Sequence, residues 1–499
     1  MTASTRPTPP KLPRPQRAPL ATSPTLAAVH QRLLERPQLA SQLQAQLWQQ
    51  VTSTPLLEAD PTQEGKYLVT FLWRGAAHSV LLFVNRLTDE KNLADSYMRR
   101  LPGTDTWYLT YRMDGDWRAS YCFLPAPAAA QAPWLQGSQV RLRQALDGGL
   151  PDPHNPVTCT NRRGFVQSVV SLPLAPAWPL GEWPVFSDDA AGAGRFDGGG
   201  LGAGRGDADA GRLNAGRLNA GRGDADAGRL NAGRLNAGRL NAGRLNAGRG
   251  DADAGSLDAG RLDAIVDLEA LGRQIWVYTP ALIDRAQSWP VLLVLDGEVW
   301  LKRHHLHLAL TQLMQAGLIA PAYIVFIDSG GTEQRWQELG DSDFGRYLTG
   351  PLLNWLKTHY AISPKPADRV VIGQSLGALT VLRTLVGYPQ LIGSGISQSA
   401  SLWQDVLFSE LNALDATQTP LAGTRAWIEV GSQEWILAPL QPKAVCQLRE
   451  AGMQVKDMVY NGGHDYACWR INLASALMHL LPGPNALPGP GAYPAGNIA

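Results

Sequence analysis

The chain has 499 residues, 44% of them hydrophobic, and a formal net charge of +1. That length leaves room for two or three domains with cores of their own, and the balanced charge argues against nucleic acid or anionic membranes as partners. Four scattered cysteines (Cys122, Cys159, Cys446 and Cys468) offer neither a disulfide framework nor metal-ligand spacing, so reduced thiols in a cytoplasmic protein are expected.

No apolar run approaches the roughly 20 residues needed to span a bilayer, and the N-terminus lacks a signal-peptide core. Residues 1–25 are proline-rich and basic, which predicts a disordered leader. From Leu26 to Trp48 apolar residues recur at helical spacing. Between Lys66 and Phe123 the period changes to two. Tyr67–Trp73, Val80–Val84, Thr106–Tyr111 and Trp117–Tyr121 are predicted strands, separated by turn signals such as Pro102-Gly103-Thr104-Asp105. Short strands at this spacing predict an all-β sandwich of immunoglobulin type across 26–186.

Residues 187–262 are low in complexity, with Ala-Gly-Arg-Leu-Asn recurring and Arg-Gly-Asp-Ala-Asp-Ala-Gly interrupting it. A five-residue period suggests a pentapeptide β-helix. Such a coil needs a small residue two before the central leucine and usually Asn or Asp one before it; here glycine and arginine occupy those places, and every arginine would sit at the same corner. Glycine at this density also carries a large ordering entropy, so a flexible linker is expected.

From 263 to 482 the rhythm is α/β. Gln274–Tyr278, Val291–Leu295, Ala322–Ile327 and Val370–Ile372 are apolar runs suited to a parallel sheet buried on both faces. Leu306 to Ala316 is a predicted helix, and Phe344, Leu348, Leu352, Leu356 and Tyr360 keep i, i+4 spacing. Later strands fall near Ala426–Val430 and Lys456–Tyr460, and residues 483–499 read as a disordered tail.

The chemistry is written at Gly373-Gln374-Ser375-Leu376-Gly377, which follows a buried strand and opens a helix. That is the nucleophile elbow of an α/β-hydrolase. A serine hydroxyl needs an imidazole to take its proton, and Gly462-Gly463-His464-Asp465 supplies one beyond a late strand. The third member is an acid at the end of an intervening strand. Glu434, after Ile428-Glu429-Val430-Gly431, fits best. Asp405 and Asp415 lie too early, Asp457 lies within a strand, and Asp465 reads as a loop cap. Backbone N–H groups of Leu376 and of the Asp296-Gly297-Glu298 loop are the expected oxyanion donors. His304, His305 and His307 read as a solvated helix entry, and no metal site is expected.

These motifs resemble the enterochelin (enterobactin) esterases. The C-terminal half carries Leu295-Asp296-Gly297-Glu298 with Trp300, Gly373-Gln374-Ser375, Ser397-Gln398-Ser399 with Trp403, Glu429-Val430-Gly431 with Glu434, and Gly462-Gly463-His464-Asp465 before Cys468-Trp469-Arg470. The N-terminal half carries Phe71-Leu72-Trp73-Arg74, Asn85 with Thr88-Asp89, Trp107, and Trp117-Arg118-Ala119-Ser120-Tyr121. The resemblance implies a Ser375–Glu434–His464 triad and a cytoplasmic hydrolase of ferric catecholate siderophores, without a cofactor, iron entering only with the substrate. After Arg335 the family usually shows a Glu-Leu-Pro-Cys-Asn-like run, where this chain has Glu338-Leu339-Gly340-Asp341-Ser342. A bulky aromatic trianion suits arginine beside tryptophan, which singles out Arg335, Trp469, Arg470 and Arg74 as substrate contacts. A general carboxylesterase of the esterase D or feruloyl esterase kind is the alternative, and a non-catalytic scaffold a third reading.

Overall fold

The computed structural model describes residues 8–15, 18–128, 139–184, 260–265, 272–341, 343–414 and 420–486. Residues 187–259 of the predicted linker and 487–499 of the tail lie outside them.

Two four-stranded antiparallel sheets form the N-terminal half. One has the order β1-β2-β5-β4 (Leu56–Ala59, Lys66–Arg74, Thr106–Asp114, Arg99–Arg100). The other has the order β3-β6-β8-β7 (Ser79–Val84, Arg118–Ala126, Val166–Ser171, Thr158–Thr160). Alternate residues of both sheets meet in one core: Val69 and Phe71, Val80, Leu82 and Val84, Leu109 and Tyr111, Tyr121 and Phe123. Phe71 and Tyr121 cross it edge to face at 4.8 Å between ring centroids. The four predicted strands lie in or overlap β2, β3, β5 and β6. On the outer face of β2, the helices Pro24–Glu35 and Ala40–Gln50 bury Leu26, Leu33, Leu43 and Leu47 against Leu72 and Leu101. Ser23 caps the first helix by accepting the Leu26 N–H.

The leader departs from expectation. Short β4 leaves part of the β5 edge open, and residues 19–21 cover it: Arg112 N–H donates to Pro19 O and Ala21 N–H to Thr110 O. Arg14 donates to the carbonyls of Leu87 and Thr88 and stacks over Trp435 at 5.0 Å. Backbone pairing at residues 19–21 and the side-chain contacts of Arg14 are thus features of the leader that composition does not encode.

The C-terminal half is built on an eight-stranded sheet of order β16-β15-β14-β13-β11-β12-β10-β9. Its strands are Arg261–Ile265 (β9), Ile275–Thr279 (β10), Val291–Val294 (β11), Tyr323–Ile327 (β12), Arg369–Gln374 (β13), Ser394–Gln398 (β14), Arg425–Gly431 (β15) and Gln454–Tyr460 (β16). Only β10 runs against its neighbours. Strands β10 to β14 are buried along their whole length, as expected for a sheet covered on both faces. Strand β9 was not expected and starts inside the stretch read as linker. Helical residues run from Phe344 to His359, with a widened turn around Pro351, and bury Phe344, Leu348, Leu352 and Leu356. His304 and His307 are 2% and 4% exposed, not solvated. His304 stacks on Tyr466, and His307 meets Tyr278 edge on. No helix among the described residues is long and apolar enough to cross a membrane.

Candidate active site

Strand β13 ends at Gln374, and the helix Leu376–Gly387 begins two residues later. Ser375 makes the turn alone, at φ 59° and ψ −115°, a conformation that strains any residue with a Cβ. The turn closes because Gly373 has no side chain: a Cβ there would stand 2.4 Å from the carbonyl carbon of Gly377. Ser375 is pinned by its own N–H donating to Gln398 O at 3.0 Å and by its carbonyl accepting from Ser401 N–H at 3.1 Å. Its Oγ lies 3.4 Å from Ser401 Oγ.

In the loops after β15 and β16, two and three strands across from β13, Glu434 Oε2 and His464 Nδ1 are 2.5 Å apart. The other carboxylate oxygen accepts from Ser399 Oγ at 2.6 Å and from Gly431 N–H at 2.8 Å. Trp469 Nε1–H donates to Ser399 Oγ at 2.9 Å, and its ring stands edge on to the His464 imidazole, 4.8 Å between centroids. Complete burial pushes the Glu434 carboxyl up. The His464 imidazole, the hydrogen bond to it, the Arg86 guanidinium and Ser399 outweigh that, so the group sits below its ordinary value. Asp465 is a loop cap, as expected: Oδ1 accepts the Ala467 N–H at the start of the helix Tyr466–Leu480.

The sandwich holds the histidine loop. Asn85 Nδ2 donates to His464 O at 3.1 Å, Ser120 N–H to Asp465 Oδ2 at 2.7 Å, and Arg118 N–H to Asn461 O at 3.1 Å. Arg86, at φ 61°, lies against Gly463 and, like Arg14, over the Trp435 ring.

Beside the elbow, Asp296 at φ 53° turns β11 into the helix Gly297–Lys302. A Cβ on Gly297 would stand 2.3 Å from Ile327 N, so only glycine brings this helix start so close to β12. The first N–H groups of both helices have no partner within their helix. Glu298 turns its carboxylate onto Ser329, with 2.5 Å to Oγ and 3.0 Å to N. Arg335 donates to both oxygens of Asp296, at 2.7 and 2.8 Å. Arg162, from the turn after β7, approaches the same carboxylate at 2.7 Å. Burial opposes ionisation of Asp296, but the two guanidiniums prevail and pull it down to about 2.

Three of the four predicted substrate contacts are framework instead. Arg335 is 9% exposed and forks onto Asp296. Trp469 supports Ser399 and His464, and Arg470 lies beneath the surface over Trp183 at 5.4 Å. Arginine beside tryptophan signals a stack without saying whether it faces water. Arg74 remains accessible, 3.4 Å from Asp105. Ser399, Asn85, Arg86 and Arg162 were not anticipated as site residues. The Ser397-Gln398-Ser399 motif was a signal for the first, whereas the others act through contacts distant in sequence. Among the described residues no group of three or more His, Cys, Asp or Glu could hold a metal ion.

Residues 68–180 match the family profile described as enterochelin esterase, N-terminal, and residues 270–480 the one described as putative esterase. The iron(III) enterobactin esterase of Dickeya dadantii is 29% identical over 469 residues, spanning 87% of this chain and 92% of its own. The iron(III) salmochelin esterase of Escherichia coli O6:H1 is 28% identical over 444 residues, spanning 85% and 90%. Among solved structures, the ferric enterobactin esterase of Salmonella typhimurium superposes with a TM-score of 0.61 at 24% identity, covering 87% of this chain and 98% of that one. The Shigella flexneri enterobactin esterase, crystallised in the presence of enterobactin, gives 0.59 at 22% identity, covering 87% and 97%. These two likenesses establish a shared fold.

Proposed function

The chain belongs to the enterochelin esterase family, and we propose on that premise that it hydrolyses the ester bonds of ferric catecholate siderophores such as enterobactin, releasing iron in the cytoplasm. The observation that carries the reading is the 2.5 Å contact of Glu434 with His464 at the same sheet edge as the strained Ser375, with β14 between their strands. In this mechanism His464 Nε2 takes the Ser375 proton as Oγ attacks the ester carbonyl. Oγ leaves Ser401 for His464 to do so. Glu434 holds the imidazole and stabilises the imidazolium. The tetrahedral oxyanion is met by the N–H groups of Leu376 and of Gly297 or Glu298 at the two helix starts. His464 then protonates the departing serine hydroxyl of the siderophore, and water releases the acyl group from Ser375. No resident cofactor takes part, and the iron travels with the substrate.

We read the N-terminal sandwich as immunoglobulin-like, because the orders β1-β2-β5-β4 and β3-β6-β8 follow the ABED and CFG pattern. The proposed catalytic domain spans 261–482, two residues longer than the sequence suggested, and the repeat before it is a linker. Arg74 is the proposed substrate contact that remains accessible.

The test is Ser375→Ala. Turnover of ferric enterobactin is expected to vanish while binding, read by tryptophan quenching, persists. Retained turnover in that variant would remove the mechanism.

A further inference from the structure

The motifs Gly373-Gln374-Ser375, Ser397-Gln398-Ser399 and Glu429-Val430-Gly431 each place a polar residue one step below the catalytic layer, and the hydrolytic mechanism uses none of the three. They sit side by side: Gln374 is the register partner of Gln398, and Gln398 of Glu429. All are 0–1% exposed. Their side chains form one continuous row across the sheet. Trp300 Nε1–H donates to Gln374 Oε1 at 2.8 Å, Gln374 Nε2 to Gln398 Oε1 at 2.8 Å, and Gln398 Nε2 to Glu429 Oε1 at 2.8 Å. Trp427 Nε1 at 2.8 Å and Asn472 Nδ2 at 3.2 Å complete the carboxylate's shell.

The row has one direction. An indole can only donate and a carboxylate can only accept, so both amides must point their NH₂ groups toward Glu429. An amide at position 429 would present a donor to one of the three donors already converging there. Turning Gln398 to meet it would set its NH₂ against that of Gln374. Turning Gln374 as well would set NH₂ against the Trp300 N–H. No orientation removes the clash of donors, and unmet buried groups are costly.

The backbone couples this row to the reacting groups. Ser375 N–H donates to Gln398 O, and Ser399 N–H donates to Glu429 O at 2.7 Å. Gln398 Nε2 also donates to Trp469 O at 2.9 Å, and Trp469 supports Ser399, which holds Glu434. We propose that Glu429 is a positioning residue for the hydrolysis: as the acceptor at the end of a one-way row through Gln398 and Gln374, it fixes the two strand ends that present Ser375 and Ser399. The inference rests on the esterase reading above. Burial pushes the Glu429 carboxyl up to about 7 against the pull of Trp427, Gln398 and Asn472, with Glu434 and Tyr460 the titratable groups around it. The carboxylate therefore forms as the solution passes neutrality, and the row tightens with it.

The experiment compares wild type, Glu429→Gln and Gln398→Met for p-nitrophenyl butyrate hydrolysis and for fluorophosphonate labelling of Ser375, from pH 5.5 to 9. At pH 8.5 the charge-neutral Glu429→Gln is expected to lose about tenfold to a hundredfold in kcat, with KM within about twofold if binding is untouched. The wild-type to variant ratio should shrink as pH falls below about 7, where Glu429 itself becomes neutral. A role in stability alone would give a ratio independent of pH, and that result overturns the inference. Should Glu429→Gln fail to fold, Gln398→Met cuts the row at its centre, and an unchanged rate there overturns it equally. Wild type that is not labelled at Ser375 removes the esterase reading itself, and the inference with it.

Discussion

His464 Nδ1 is 2.5 Å from Glu434 Oε2, and Ser399 and the Gly431 N–H converge on the carboxylate's other oxygen. The acid is thus fixed from two sides and sits below its ordinary value despite full burial. Glu434→Gln keeps the shape and removes the charge that pairs with an imidazolium. By analogy with triads in general, kcat should fall about a thousandfold or more with KM little changed. Steady-state kinetics on a p-nitrophenyl ester reads this directly, and a loss under tenfold would place the orienting acid elsewhere.

Ser399→Ala takes an acceptor from the Trp469 N–H and a donor from Glu434. Leaving such buried groups unmet costs about 1–3 kcal/mol. Urea denaturation should show that loss, with kcat falling alongside because Trp469 stands against His464.

Gly373→Ala puts a Cβ 2.4 Å from backbone atoms of Gly377. No rotamer relieves a clash with backbone, so the strand and helix must part. A destabilisation of about 3 kcal/mol or failure to accumulate as soluble protein is expected. A stable, active variant would show that the elbow relaxes freely.

Asp296→Asn leaves the Arg335 and Arg162 guanidiniums without their carboxylate. Arg335 is well buried but Arg162 is 28% exposed at its side chain, so a loss of about 3 kcal/mol, at the low end for a broken buried pair, is expected at pH 7. The folded-state carboxyl is depressed from 3.8 to about 2. Its contribution is therefore complete above the unfolded value and declines as pH falls through about 2. The difference in urea midpoint between wild type and variant should be constant from pH 7 to 5 and narrow below pH 3.8.

Asn85→Ala tests whether the sandwich domain takes part in chemistry. Its amide holds the His464 carbonyl, and losing one such bond is worth about 1 kcal/mol, or roughly fivefold in rate. The loss should be seen even with a small ester that never reaches the sandwich. An unchanged small-ester rate would show that this contact does not serve the chemistry.

Much of this architecture was legible in the sequence because it depends on local pattern. Period-two alternation marked Val80–Val84 and Thr106–Tyr111, and continuous apolar runs marked β11 and β12. Ser375, His464 and Glu434 stand where strand ends and glycines put them. Strand β9 was hidden because Arg261-Leu262-Asp263 reads like the repeat before it, and only pairing with β10 makes it a strand. Arg14, Asn85, Arg86 and Arg162 gain their roles from partners far along the chain, which no window of residues reveals. Arg335 and Arg470 misled for the opposite reason. Their charge beside tryptophan suited the trianionic substrate that the resemblance implied, while the fold had already matched Arg335 with Asp296 and laid Arg470 against Trp183.

The most direct test of the central claim is product analysis of the purified protein with ferric enterobactin, beside a short p-nitrophenyl ester. Release of dihydroxybenzoylserine oligomers, abolished by Ser375→Ala, is the predicted result. Cleavage of the p-nitrophenyl ester alone, with ferric enterobactin recovered intact, would contradict the siderophore assignment and leave a general carboxylesterase.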